Sequence, residues 1–247
     1  MSKISIDIDY IKDSLVKMGY IISDCIEREN YGKNWQLKFS NSDAIINIYD
    51  TNNKNNVVVN GKACDEEKQK LKFIVDELKC KELTIDPLNK EIVDLINNKV
   101  EKDYYDYKLK LHDNKEDLLH DILCLSNNIT NIDAYLIFGV NDECKAVGLK
   151  EKLKSNNILD FLKSKSFAGD HMPEIEVKNL FYLYHDIGVI VCKSSKYVPF
   201  YLTERFNGIR ENQIYTRVGD TNTPKDKNAN YNDIEKLWRI HFKRENE

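Results

Sequence analysis

The chain has 247 residues, of which 41% are hydrophobic, 32% charged and 10% aromatic, so it is long enough for one large core or two small ones. Its net charge of -4 argues against strong binding of nucleic acid by the whole surface, and no segment approaches the length of a membrane span. The first residues lack the basic and then apolar pattern of a signal peptide. We therefore expect a cytoplasmic protein that does not enter a membrane.

The six cysteines are scattered and form no CxxC pair, and the five histidines are equally dispersed. A structural zinc site needs ligands clustered at loop or helix spacing. The sequence therefore predicts no zinc, and it predicts reduced, partly buried thiols.

The first 85 residues predict a small α+β domain. Its predicted elements are a helix over about 8–18, strands at 34–40, 44–50 and 55–61, and a helix after Cys64. A helix, an antiparallel meander and a closing helix resemble the TBP-like domain found at the front of some bacterial ribonucleases and toxin proteins. The stretch "LTIDPLNKE" contains the first of four prolines, so residues 86–95 are predicted as a linker and 96–247 as a second domain.

The second domain is predicted to contain a mixed β-sheet with flanking helices. Its predicted elements are a strand at 104–111, a helix at 114–126, an apolar strand at 134–140, a return strand to Leu149, a short helix after 156, strands near 175–180 and 186–195, a hairpin at Asn207-Gly208, and a terminal helix that docks through Ile234, Leu237, Trp238 and Phe242.

Several short motifs follow one another in this domain. They are Glu101, Asp106, Tyr107 and Lys108; Asn127 or Asn128; Gly139, Val140, Asn141 and Asp142; Val147 and Gly148; and Tyr215, Arg217, Val218 and Gly219. This order resembles the Schlafen AlbA_2 family over residues 95–240. Two departures from the family stand out: Asp106 occupies a position where glutamate is usual, and Asp133 and Ala134 replace the usual Gly-Gly.

The resemblance implies a nucleic-acid site. Schlafen proteins that cut tRNA and rRNA use three carboxylates, which here correspond to Glu101, Asp106 and Asp142. Such acids would hold Mg²⁺ or Mn²⁺, and Lys108 would contact a phosphate or stabilise the leaving group. The alternatives are solvated surface acids, a hairpin aspartate and a surface lysine.

A second candidate surface combines basic, aromatic and hydroxyl side chains, which suit phosphates, unpaired bases and sugars respectively. Its predicted nucleic-acid contacts are Lys193, Arg205, Arg210, Tyr215, Arg217, Thr221, Asn222 and Thr223. A stabilised turn that merely closes the sheet is the alternative for residues 217–223. His171 is a further candidate phosphate donor or general acid, although a loop histidine is more often neither.

The leading interpretation is a metal-dependent endoribonuclease acting on structured RNA such as tRNA, in phage defence or a toxin system. The alternative is a non-catalytic module that binds DNA or RNA and serves in regulation. Because Schlafen-type domains often occur in pairs and this chain has one copy, a homodimer is expected, and the N-terminal domain could bind a protein partner.

Overall fold

The computed structural model describes residues 6–29, 32–51, 55–99 and 102–242. The chain divides into two compact units. Unit 1 consists of Met1–Asn97 and Leu180–His185, and unit 2 consists of Asn98–Asn179 and Asp186–Glu247. Each unit contains helices and strands, which confirms the predicted α+β class. None of the helices in the described ranges is long and apolar enough to cross a membrane.

Unit 1 is built on a four-stranded antiparallel sheet with the order β1-β2-β3-β4. Its elements are α1 (Ile8–Lys17), β1 (Ile22–Glu29), β2 (Gly32–Phe39), β3 (Ala44–Thr51), β4 (Asn55–Gly61), α2 (Asp65–Lys79) and α3 (Leu88–Asn98). Ile11 and Leu15 of α1, together with Leu71 and Ile74 of α2, share one core with Leu37 of β2. The helical spacing of these residues places them on single faces, so the predicted helices form because they can bury those faces on the sheet.

Two elements of unit 1 differ from the prediction. Strand β1 was not predicted, because none of its eight residues is fully buried and its sequence ISDCIERE lacks a regular apolar alternation. The segment 86–95, predicted as a linker, instead contains most of helix α3, which buries Ile92, Val93 and Ile96. Pro87 lies immediately before this helix, where a proline is tolerated, and was misinterpreted as a sign of a linker.

Unit 2 is built on a sheet with the order β5-β6-β8-β7. Its elements are β5 (Tyr105–Lys108), α4 (Lys115–Ser126), β6 (Ala134–Phe138), α5 (Ser155–Lys163), a short 3₁₀ turn (Ala168–Asp170), β7 (Ile175–Tyr182), β8 (His185–Cys192), β9 (Arg217–Val218), β10 (Thr221–Asn222) and α6 (Tyr231–Phe242). The connecting end of β7 and β8, Leu180–His185, is the part of these strands that belongs to unit 1. Strands β5 and β6 are parallel and α4 connects them, whereas β6 and β8 are antiparallel. Every residue of β6 is buried, which explains its continuous apolar sequence.

The two predicted hairpins of unit 2 are much reduced. The return strand after "NDEC" is a single bridge between Val140 and Ala146, because the carbonyl of Gly139 accepts hydrogen bonds from the amides of both Val147 and Gly148. At Asn207-Gly208 only Phe206 and Ile209 pair. In the terminal helix, Leu237 is buried as predicted, but Phe242 is 53% exposed and stacks on Trp238 rather than docking on the sheet.

The side chain of Asn127 bonds to the backbone on either side of Asn207, where a regular strand ladder is absent. This side chain is fully buried at the end of α4. Its Nδ2 donates to the carbonyls of Phe200 (2.8 Å) and Tyr215 (3.0 Å), and its Oδ1 accepts from the amide of Phe200 (2.7 Å). One amide group thereby satisfies backbone groups of two distant segments and fixes both against the helix.

Replacing Asn127 with alanine should therefore destabilise unit 2, because three buried backbone groups would lose their partners. We expect the free energy of unfolding to fall by about 2–4 kcal/mol. Urea denaturation followed by circular dichroism measures this change. Asn156→Ala, at an exposed asparagine of α5, is the matched control and should change stability by less than about 0.5 kcal/mol. Equal effects of the two substitutions would contradict the role given to Asn127.

Candidate nucleic-acid interface

A buried arginine lies at the centre of the candidate site. Arg217 begins strand β9 and its side chain is 2% exposed. Its Nε donates to the carbonyl of Lys102 (3.0 Å), its Nη1 to Oδ1 of Asn222 (3.0 Å), and its Nη2 to Oδ1 of Asp106 (3.4 Å). All three guanidinium nitrogens are thus bound inside the protein. The predicted direct contact of Arg217 with a ligand stays a prediction, and in this structure the arginine acts as a structural support.

Asp106 links this arginine to Lys108. The two residues are separated by one position on β5, so their side chains leave the same face of the strand. Nζ of Lys108 lies 2.7 Å from Oδ2 of Asp106 and 3.5 Å from Oδ2 of Asp121. The Asp106 side chain is 4% exposed, whereas that of Lys108 is 32% exposed. Lys108 therefore connects a buried pair of acids with the protein surface.

The sequence analysis missed His112 and also Asp121, the second acid of this cluster. It lies in α4, where its Oδ2 is 2.8 Å from Nε2 of His112 and its Oδ1 accepts from Nδ2 of Asn222 (2.8 Å). The signal in the sequence was the His120-Asp121 pair inside the otherwise apolar run LLHDILCL. Polar residues that interrupt the buried face of a helix need partners, and here they have them.

The charges in the cluster balance one another. Burial alone would lower the pKa of Lys108, but the carboxylates of Asp121 and Asp106 outweigh it and raise that pKa. Burial alone would raise the pKa of Asp121, but its hydrogen bond with His112 and the charge of Lys108 outweigh burial and lower it. Both groups are therefore ionised near neutral pH, and the two acids face two cations, Lys108 and Arg217.

The stretch after Arg217 is a short hairpin in which β9 and β10 pair as Val218 with Thr221 and Arg217 with Asn222. Gly219, with φ of +64°, lies in the tight connection where a left-handed backbone is needed. His120 supports the following residue, because its Nε2 lies 2.8 Å from the carbonyl of Thr223. Burial lowers the pKa of His120 and so favours its neutral form.

The predicted contacts in this hairpin differ in exposure. Thr221 is exposed. Asn222 is half-buried and bound by Arg217 and Asp121, and Thr223 is half-buried with its hydroxyl bonded to Thr216. The hairpin is thus mainly a structural closure of the site, and Thr221 is the one of these three whose side chain is exposed.

The predicted carboxylate ligands are not brought together in the described part of the chain. Glu101 lies outside the described residues. Asp106 is buried with its oxygens facing Lys108 and Arg217, and Asp142 is exposed in a turn held by the side chain of Asn141. Residues 6–29, 32–51, 55–99 and 102–242 contain no group of three acidic, histidine or cysteine side chains able to hold a metal ion. As placed, Asp106 does not fit a ready site for a divalent cation, because cationic side chains already occupy its surroundings.

The remaining predicted contacts fall into exposed and internal groups. Arg205 and Arg210 are exposed, and each donates to a main-chain carbonyl, of Asn207 and Asp226 respectively. Lys193 is half-buried and pairs with the nearby acids of β7 and the 133 loop.

Tyr215 is fully buried in this structure, and its predicted contact with nucleic acid stays a prediction. Its hydroxyl donates to Oε1 of Gln213 and accepts from the amide of Arg210. His171 is exposed and stacks on Tyr197 at 3.7 Å between ring centroids.

Comparison with known proteins identifies the family. A family model described as Schlafen, AlbA_2 matches residues 101–226, which is just over half of the chain, so the chain belongs to this family and is associated with nucleic acid. No curated protein and no solved structure matches the chain.

Substituting Asp121 with asparagine should lower stability in a pH-dependent manner. Because the folded pKa of Asp121 is lowered, its ionised form stabilises the protein above the ordinary aspartate pKa of 3.8, and this contribution is lost as the pH falls through the lower folded value. We expect a loss of about 3 kcal/mol near neutral pH. The difference from the wild type should shrink below about pH 4.

Urea denaturation near neutral pH and in acid measures this difference. Asp226→Asn, at an exposed aspartate, is the control and should behave like the wild type at both pH values. A stability loss from Asp121→Asn that is independent of pH would contradict an ionised, paired Asp121.

Proposed function

We propose that this member of the Schlafen AlbA_2 family binds nucleic acid through unit 2. The observation that carries the proposal is the separation of charge within the matched region. Asp106 and Asp121 are buried and neutralised inside the protein, whereas Lys150, Lys152 and Lys154 are exposed and have no carboxylate partner among the described residues. Phosphate groups are the natural partners of exposed lysines that no internal acid neutralises.

The overall net charge of -4 makes this local arrangement necessary. A uniformly acidic surface would repel a polyanion, so a binding protein of this composition has to concentrate basic groups in one place. The buried network contributes by holding β5, α4 and the β9–β10 hairpin together with their acids turned inward.

Endoribonuclease activity is the second candidate, and the Lys108 cluster favours it. A partly exposed lysine that stays charged could stabilise negative charge on a phosphate during cleavage. His112, oriented by Asp121 at 2.8 Å, adds a group able to move a proton. Mg²⁺ or Mn²⁺ held by Glu101, Asp106 and Asp142 remains our sequence-based proposal for assistance by a cation. We assign no step to the cation, because Asp106 is engaged by Lys108 and Arg217.

The two candidates are separated by one set of incubations. Purified protein is mixed with labelled tRNA at low salt, with Mn²⁺ or with EDTA, and the RNA is analysed on native and denaturing gels. Binding should appear as a shift that weakens as salt is added, because phosphate contacts release counterions. Absence of a shift with RNA and DNA at low salt would contradict nucleic-acid binding.

If the RNA is cleaved, variants of the site residues show which side chains the reaction needs. Loss of cleavage with Lys108→Ala and with His112→Ala, but retention in EDTA, would place the reaction in the cluster. Loss with Asp142→Ala and in EDTA would instead support the three-carboxylate proposal. RNA that shifts on the native gel but stays intact on the denaturing gel would support a binding module and exclude the nuclease.

A further inference from the structure

A groove of about 860 Å³ opens on unit 2. Its lining includes Val147 and Gly148 of the family motif and Leu109, the neighbour of Lys108, but none of the predicted catalytic or nucleic-acid contacts. Its basic side chains are Lys110, Lys150, Lys152 and Lys154. Its wall includes Leu109, Leu111 and Val147, which are 53%, 37% and 51% exposed. Three exposed apolar side chains in one groove mark a candidate binding surface, and the four lysines beside them favour an anionic partner with apolar parts.

A second pocket of about 580 Å³ adjoins this groove, because Asn157 lines both. It contains Lys115 and Lys165 together with the rings of Phe161 and Phe206. Nζ of Lys165 lies 3.9 Å from the ring centroid of Phe206 and 4.9 Å from that of Phe161, and Nζ of Lys115 lies 5.2 Å from that of Phe161. Because the two cavities share Asn157, we call their combined lining the lysine groove.

The lysine groove carries an excess of positive charge. Six lysines line it against three acids, Asp113, Glu151 and Asp160. Among the described residues one of these lysines, Lys110, forms an ion pair, with Asp113 at 2.6 Å. Burial and the neighbouring charge of Lys115 lower the pKa of Lys165. Asp160 lines the same pocket, but among the described residues it forms no ion pair with either lysine. An anionic ligand would relieve the repulsion between these two lysines.

We propose that the lysine groove binds a single-stranded segment of nucleic acid, with phosphates on the lysines and bases against the exposed apolar wall. Unpaired bases expose flat apolar faces that can pack on such side chains, whereas a duplex hides these faces in its stack. This inference rests on the proposed function and adds to it the place and the strandedness of the ligand.

The test is a triple substitution, Lys150→Ala with Lys152→Ala and Lys154→Ala. These lysines are exposed, so we expect the fold to tolerate their loss. Circular dichroism of the variant checks this. Binding of a labelled uridine oligomer of about 12 nucleotides is followed by fluorescence anisotropy. We expect affinity to fall by about 10- to 100-fold at low salt, and the salt dependence to decrease by about 0.7 per lost contact.

The matched control removes three exposed lysines of unit 1, with Lys62→Ala, Lys72→Ala and Lys90→Ala, and has the same net charge. It should bind within about twofold of the wild type, because distant charges are screened by salt. A companion variant, Lys115→Ala with Lys165→Ala, tests the second pocket and should also weaken binding. If this variant binds as tightly as the wild type, the second pocket is not part of the binding surface.

The outcomes distinguish this inference from the proposed function. If the wild type binds no nucleic acid, the proposed function itself fails. If the wild type binds but the triple variant binds equally well, the function stands and the groove is wrong. Preference for a duplex of the same sequence would overturn the single-stranded ligand. Equal competition by polyglutamate of matched charge would indicate an acidic peptide instead.

Discussion

The guanidinium of Arg217 is the interaction on which the candidate site depends. It joins the start of the matched region at Lys102, the acid of β5 at Asp106, and the hairpin at Asn222. Lys102 and Asp106 lie 115 and 111 residues before Arg217 in the chain, whereas Asn222 lies five residues after it. A planar group with donors in a fixed fork can hold all three at once, which a lysine could not do.

The buried network also determines which charges face outward. Asp106 and Asp121 balance the charges of Arg217 and Lys108 inside the protein. Asp106, which the sequence predicted as a metal ligand, is therefore already paired with cationic side chains. The exposed lysines of the groove lie elsewhere and need no such balance. In this structure the family residues Asp106 and Arg217 support the site, and the contact with nucleic acid is proposed for the lysine groove, whose wall includes Val147 of the family motif.

Much of the fold followed from the sequence, because α1, α2, α4 and α6 have apolar faces at helical spacing and β6 and β8 have continuous apolar runs. Strand β1 and the irregular chain around Asn207 could not be predicted, because their hydrogen bonds depend on neighbouring strands or on side chains such as Asn127. In the site, the two-residue repeat of a β-strand predicted correctly that Lys108 and Asp106 lie on the same face of β5. The burial of Arg217 and the bond from Asn222 to Asp121 could not be predicted, because each joins residues more than 90 positions apart in the chain.

A double-mutant cycle between Asp106 and Arg217 tests the central claim most directly. Asp106→Asn and Arg217→Met are made separately and together, and the free energy of unfolding of each variant is measured in urea. The account predicts a coupling of about 2 kcal/mol, because the second substitution costs less once the first has broken the buried pair. Additive effects within about 0.5 kcal/mol would contradict a structural pairing of these two residues.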